Sequence, residues 1–174
     1  MPSEWKLLVR RKSEHRRSGR RRIVGSYQVL HDGKPVQGLM GMSVEAPGPG
    51  DNTMAGFRHC IEPGVYGLAT HYSDRYCTIG YTDNVNPAAL PRPGLLLTGT
   101  GERQAILVHP GRGFLASTGC LNLTRPLWGG DDDMDFVESR GRVIALIDNL
   151  RTFFNGSFPE ENGRPIRQAF IEIT

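Results

Sequence analysis

Cysteine is scarce in this chain, and its spacing argues against two common uses of the residue. The three cysteines among 174 residues are Cys60, Cys77 and Cys120. They form no C-x-x-C pair and no metal-ligand spacing, so the cysteines predict no metal site. Their odd number does not fit a disulfide framework, because at least one thiol stays free unless chains are cross-linked. We expect Cys60 and Cys77 to be buried thiols.

Long apolar runs are also missing. No run approaches the roughly 20 residues that a membrane-spanning helix needs. The first residues, "MPSEWKLLVRRK", hold only a very short apolar piece and no small-residue cleavage site, so they do not resemble a signal peptide. Apolar residues make up 38% of the chain, beside 22 glycines and 12 prolines, which favours turns and short strands. We expect one domain over residues 1–174, with no membrane span.

The order of short apolar segments predicts a mainly β protein. The segments "WKLLVRR", "RIVGSYQVL" and "PVQGLMGMSVEA" predict the first three strands, and the Asp-Gly of "HDGK" predicts a hairpin turn. Later strands are predicted in "LLLTGT", "RQAILVHP" and "IRQAFIEIT". One segment has a helical period, with Val143, Ile147, Leu150 and Phe154 on one stripe. The predicted fold is a small barrel or sandwich with one packed C-terminal helix.

Charge is concentrated in two short segments. Residues 10–22 hold eight Lys or Arg and one Glu, whereas the rest of the chain holds 13 basic and 17 acidic residues. We interpret the basic run as a solvated hairpin, with contact to an anionic surface as the alternative. Nucleic acid is not an expected partner, because interleaved aromatic residues are missing. The acidic run "DDDMD" at 131–135 fits no EF-hand spacing and is interpreted as a solvated loop rather than a calcium site.

The segment "VHPGRGFLASTGCLNL", residues 108–123, holds the clearest candidate chemistry. His109 ends an apolar strand, and a loop of eleven residues can bring Cys120 back beside it. A cysteine nucleophile needs such a base, and Gly119 lets backbone N–H groups approach a substrate carbonyl. Ser117 and Thr118 are candidates for orienting a substrate. On spacing alone, a catalytic pair and a buried structural thiol both remain open.

The order of His109, Gly111, Ser117, Gly119, Cys120 and Asn122 resembles the signature of the L,D-transpeptidase (YkuD-like) catalytic domain. In that family a His-Gly opens a loop that closes on Ser/Thr-X-Gly-Cys. The upstream element "RHCIEPGVYGL" is similar to a second motif of the group. The loop here is shorter than usual, Thr118 stands where many members have a second His, and Pro110 stands where Gly is usual. These features are most similar to short uncharacterised phage and bacterial relatives and to secretion-system effectors that target peptidoglycan.

The resemblance implies an L,D-transpeptidase-type fold and cysteine-dependent acyl transfer or hydrolysis on peptidoglycan stem peptides, without a metal or an organic cofactor. Cys120 would be the nucleophile, His109 the base, and Gly119 part of the oxyanion site. The residues that the resemblance assigns to substrate binding are Ser117, Thr118, Asn122, Gly111, Arg58 and Tyr66. Arg58 would pair with a substrate carboxylate.

The same resemblance implies a place of action. The protein would be made in the bacterial cytoplasm without a signal peptide and would reach the cell wall or periplasm as a phage protein or as an exported antibacterial effector toxin. Such an effector implies an immunity or carrier protein as a further partner. The alternative is a non-catalytic structural or cell-wall-binding module of a phage or secretion apparatus with the same fold.

Overall fold

Ten strands and one helix make up the chain, and the computed structural model describes all residues 1–174. The strands are β1 (Trp5–Arg17), β2 (Arg20–His31), β3 (Lys34–Glu45), β4 (Gly64–Ala69), β5 (Tyr76–Cys77), β6 (Arg92–Pro93), β7 (Leu95–Thr98), β8 (Leu107–His109), β9 (Leu121–Thr124) and β10 (Pro165–Ile173), and the helix is α1 (Phe136–Phe153). Eight strands close into a barrel in the order β1-β10-β4-β7-β8-β9-β3-β2. The prediction of a mainly β fold with one C-terminal helix is confirmed.

Two tight turns join the three long strands at the start of the chain. Ser18 and Gly19 have φ of 49° and 77°, and Asp32 and Gly33 have φ of 50° and 79°. Both central residues of each turn are therefore left-handed, which matches the twist of a two-residue hairpin and favours Gly and Asp. Alternate residues of β1 then face the barrel interior, which is filled by one apolar cluster.

The basic run 10–22 forms the far end of the β1–β2 hairpin, where Arg17 pairs with Arg20 and Arg16 with Arg21. The guanidinium groups of Arg17, Arg20 and Arg22 lie 4.8, 5.3 and 4.4 Å from the centroid of the Phe114 ring. One side of the hairpin tip is thus packed against the body of the protein and is not a solvated face.

A parallel pair of strands positions the candidate chemistry. Strands β8 and β9 pair through Val108 with Leu121 and through His109 with Asn122. Parallel neighbours normally need a crossover of about a dozen residues or more, often a helix. Here residues 110–120 make the crossover as an irregular loop. Val108 and Leu121 are completely buried in the core, so the residues before and after them face the other side.

Helix α1 packs its predicted stripe into the same apolar cluster as the barrel. Val143, Ile147 and Leu150 have no exposed area, whereas Phe154 lies at the C-cap and is half-buried. The helix begins after Asp135, whose side chain accepts a hydrogen bond from the Glu138 N–H at 2.9 Å. This capping role uses one residue of the acidic run 131–135. The helix is not long and apolar enough to cross a membrane.

Candidate active site

His109 and Cys120 line the same surface cavity, which we call the thiol pocket and which has a volume of about 310 Å³. The backbone N–H of Leu107 lies 3.3 Å from the Cys120 sulfur, and this contact fixes the thiol beside the strand that ends in His109. Ser117, Thr118 and Gly119, from the crossover loop, line the pocket as well. The parallel register therefore brings the candidate nucleophile, the candidate base and the crossover loop to one cavity.

The imidazole of His109 is held in one orientation. Its Nδ1 lies 2.7 Å from the carbonyl oxygen of Pro110, and its ring lies 4.4 Å from the ring of Tyr76. A carbonyl can only accept, so Nδ1 carries the proton and the lone pair of the neutral ring is on Nε2. Nε2 makes no hydrogen bond to the protein. It is therefore available to a substrate or to a moving thiol.

Burial keeps this imidazole neutral. His109 is only 4% exposed. Desolvation lowers the pKa of His109 to about 4, although the Pro110 carbonyl opposes the shift, and the nearby charge of Arg92 acts in the same direction as burial. At neutral pH the His109 imidazole is therefore unprotonated and can accept a proton at Nε2.

Asn122 supports His109 instead of facing a substrate. Its side chain has no exposed area. The Asn122 Nδ2 donates to the backbone carbonyl of His109 at 3.0 Å and lies 3.4 Å from Nδ1 of the ring. The substrate-binding role predicted for Asn122 is replaced by a positioning role, because no ligand can reach the buried amide.

The thiol of Cys120 is only partly open to the pocket and is not hydrogen-bonded to His109. It accepts from the Leu107 N–H and donates to the carbonyl of Ala105 at 3.6 Å. Burial raises the pKa of Cys120, while the Leu107 N–H and the charge of Arg103 oppose that rise. Both shifts favour the neutral forms of Cys120 and His109 at neutral pH over a thiolate–imidazolium pair.

Gly119 provides room for a buried arginine beside the thiol. A Cβ on Gly119 would lie 2.5 Å from Arg103 Nη2. Arg103 is 3% exposed and donates to three backbone carbonyls, those of Asp51, Cys60 and His59. Its charge thus has no carboxylate partner within ion-pair distance, and it lies against the loop that carries the nucleophile.

The end of the crossover loop also offers unused donors. The backbone N–H groups of Thr118, Gly119 and Cys120 donate to no acceptor in the protein. Amide groups of this kind beside a nucleophile can stabilise an oxyanion. The Ser117 hydroxyl does not share this role, because it donates to the Cys120 carbonyl at 3.0 Å and braces the loop. Thr118 is exposed at the rim of the pocket.

Three other predicted substrate contacts do not line the thiol pocket. Gly111 lines a neighbouring cavity, and its N–H donates to Ser139 on helix α1 at 2.9 Å. Tyr66 is buried, with its hydroxyl donating to the Glu62 carbonyl. Arg58 is exposed and lines none of the cavities. Tyr66 and Arg58 therefore do not join the site that their motif suggested. Cys60 and Cys77 are each 1% exposed, which confirms their prediction as buried thiols.

A second cavity of about 570 Å³ lies on the other side of His109. We call it the arginine pocket, because Arg92 and Arg112 line it, and it shares Tyr76 and His109 with the thiol pocket. No Asp or Glu lines either cavity. Sequence reasoning missed Tyr76, Arg92 and Arg103 because they lie in separate segments and no spacing relates them to His109.

No group of three or more His, Cys, Asp or Glu side chains in the chain, the two pockets included, is arranged to hold a metal ion. Comparisons of the chain with protein-family models, with curated proteins and with solved structures found no match.

Proposed function

We propose that the protein is a cysteine-dependent acyltransferase or hydrolase that acts on peptide substrates, with Cys120 as nucleophile and His109 as general base. The observation that carries this proposal is the shared pocket. Its lining residues carry a thiol, an imidazole with its lone pair on Nε2 and three backbone N–H groups that have no acceptor in the protein, and this combination supports the proposal. These are the parts that acyl transfer through a thioester requires.

The chemistry begins with the thiol leaving the Ala105 carbonyl. His109 Nε2 takes the thiol proton while the sulfur attacks the substrate carbonyl, and the N–H groups of Gly119 and Cys120 stabilise the oxyanion. The imidazolium then returns the proton to the leaving amine as the C–N bond breaks, which leaves a thioester on Cys120. Attack by water gives hydrolysis, and attack by a second amine gives transpeptidation. In both cases His109 takes the proton of the attacking group and the thiol is restored.

The substrate class rests on the motif around Cys120. The resemblance of residues 108–123 to the L,D-transpeptidase signature supports peptidoglycan stem peptides as substrate. The same resemblance supports delivery to the cell wall as a phage protein or an exported effector, with an immunity or carrier protein as partner in the latter case. Both pockets are open at the surface, which suits a substrate that is part of a polymer.

The proposal is tested by incubating the protein with purified muropeptides and following their masses, beside Cys120→Ala. We expect new masses for hydrolysed or cross-linked peptides with the native protein and none with the variant. Cys60→Ala is the matched control, because it removes a thiol that lies outside the pocket. Unchanged muropeptides, or products from Cys120→Ala, would contradict the proposal.

Two observations favour a second candidate, a non-catalytic cell-wall-binding module. The pKa of Cys120 is raised by burial, and the thiol is hydrogen-bonded to Ala105 instead of His109. A structural thiol needs no base, so its alkylation by iodoacetamide would be slow and unaffected by His109→Gln. A catalytic thiol would be alkylated more slowly in His109→Gln than in the native protein, because the general base is lost.

A further inference from the structure

The arginine pocket has a charge that the protein itself does not balance. The Arg92 Nε donates to the Pro87 carbonyl at 2.9 Å, and its Nη1 lies 3.4 Å from the Tyr76 hydroxyl. These partners are neutral, and no carboxylate lies within ion-pair distance of Arg92 or of Arg112. Arg112 is exposed and makes no side-chain hydrogen bond at all. Two guanidinium groups therefore face one cavity with their charge available.

The shape of the guanidinium group decides which anion fits. Arginine binds a carboxylate through two parallel hydrogen bonds, and Arg92 is already oriented by Pro87, Tyr76 and the ring of Phe136, whose centroid lies 6.0 Å away. Arg92 can offer a carboxylate only part of its guanidinium group, because its Nε and Nη2 already donate to the Pro87 carbonyl. Arg112 can make both parallel hydrogen bonds to a carboxylate. Leu115 and Phe136 supply apolar walls for the rest of a small ligand.

We propose that the arginine pocket binds the carboxylate of an amine-bearing amino acid or peptide, which is the second substrate of the reaction. His109 and Tyr76 form the boundary between the two pockets, so a ligand held by its carboxylate in one pocket can extend its amine past His109 toward Cys120 in the other. The identification of this ligand as the acyl acceptor rests on the proposed function, whereas carboxylate binding rests on the pocket alone.

The step assigned to this ligand balances without a further reactant. Its amine nitrogen attacks the thioester carbonyl on Cys120 and forms a C–N bond. The C–S bond then breaks, His109 Nε2 accepts the amine proton and passes it to the departing sulfur, and the products are an amide and a free thiol.

Binding is measured by calorimetry with glycylglycine as the probe and glycylglycinamide as the matched control without the carboxylate. We expect the amide to bind at least about tenfold more weakly, and Arg112→Gln to weaken glycylglycine binding by about tenfold, as loss of a charged hydrogen bond implies. Arg92→Gln should have a similar effect. Arg167→Gln, an exposed arginine on β10 that lines neither pocket, should leave binding unchanged.

Equal binding of the acid and the amide, or no loss in Arg112→Gln, would overturn the carboxylate site. Inorganic phosphate should displace glycylglycine only weakly, and a site that binds phosphate but not the dipeptide would also overturn the carboxylate site.

The acceptor role is tested by adding glycylglycine to muropeptides. The acceptor role is supported if Arg112→Gln lowers the yield of the amide adduct with glycylglycine while hydrolysis by water continues. An unchanged yield of the adduct contradicts the acceptor role. A third outcome separates the two proposals. If glycylglycine binds more tightly than glycylglycinamide, but neither the native protein nor its variants convert muropeptides, the carboxylate site is supported and the enzymatic proposal is overturned.

Discussion

The hairpin tip and the two pockets around His109 are both rich in arginine, but they use it in opposite ways. At the hairpin tip Arg22 has no exposed area and donates to the carbonyls of Phe114 and Gly129, and Arg17 forms an ion pair with Asp133. In the pockets Arg92 and Arg112 have no acidic partner. Arg17 and Arg22 of the densest basic run are therefore tied to the body of the protein, whereas Arg92 and Arg112 from separate segments form no ion pair.

This contrast explains why charge density is a poor guide to function here. A guanidinium that already satisfies backbone carbonyls or a carboxylate has little binding capacity left for a partner. The Arg112 side chain makes no hydrogen bond to the protein and retains all of that capacity, whereas Arg92 retains part of it because its Nε and Nη2 already donate to Pro87. The hairpin tip also packs on Phe114, which belongs to the crossover loop between His109 and Cys120. This contact helps to fix the position of that loop.

The largest expected effect is on stability, at the hairpin tip. Arg22→Met should lower the free energy of unfolding by about 3 to 4 kcal/mol, because two carbonyls lose their donor in a buried position. Arg21→Met is the matched control. Its ion pair with Glu14 is a surface contact at 3.4 Å, and removing it should cost less than about 1 kcal/mol. Urea unfolding of the three proteins measures this difference, and equal values for the two variants would contradict the structural role of the tip.

His109 in the pockets and His15 at the hairpin tip allow the same two regions to be compared through the pH dependence of stability. The unfolded chain has an ordinary imidazole pKa of 6.5, and folding lowers the pKa of His109 to about 4. Between these values the unfolded state binds more protons, so stability present above pH 6.5 is lost as the pH falls toward 4. The loss attributable to His109 is about 3 kcal/mol.

Urea unfolding at pH 7.5 and at pH 4 should therefore show a smaller loss of stability in His109→Gln than in the native protein. His15 at the hairpin tip is the control, because burial and the charge of Arg22 also lower the pKa of His15, but its ring is less buried. His15→Gln should keep most of the native pH dependence. If His15→Gln removes more of it than His109→Gln, the assignment of the buried neutral imidazole is wrong.

The smallest expected effect is on the reactivity of the thiol. The charge of Arg103 lowers the pKa of Cys120 against the effect of burial. Arg103→Met should therefore raise that pKa and slow alkylation at pH 8 by about threefold, whereas Arg103→Lys should stay closer to the native rate. Arg21→Met should leave the rate unchanged, because its charge lies at the hairpin tip. Mass spectrometry of the alkylated protein follows the rate at Cys120, and faster alkylation in Arg103→Met would contradict the electrostatic effect.

Local patterns predicted much of the fold. Alternating apolar residues and the Asp-Gly turn indicated the long strands, and the stripe at Val143, Ile147 and Leu150 indicated the helix, because these signals depend on neighbours in the chain. The His109–Cys120 loop was visible for the same reason. The closure of the barrel and the parallel pairing of β8 with β9 depend on contacts between distant segments, so the sequence did not reveal them.

Contacts between distant segments also limited the prediction of the site. Asn122 lies within the recognised motif, but only the register of β8 with β9 shows that it supports the His109 backbone. Arg92 and Arg103 reach the pockets from segments that no motif connects to Cys120. Arg58 and Tyr66 belong to a motif, but neither side chain lines the thiol pocket. Motif order therefore predicted that His109 and Cys120 share one cavity better than it predicted the residues around them.

The most direct test of the central claim is the intact mass of the protein shortly after mixing with muropeptides. A thioester on Cys120 predicts a mass increase equal to one acyl peptide, which disappears with hydroxylamine and is absent in Cys120→Ala. Stable native mass under conditions where muropeptides are converted, or an adduct that persists in Cys120→Ala, would contradict Cys120 as the nucleophile.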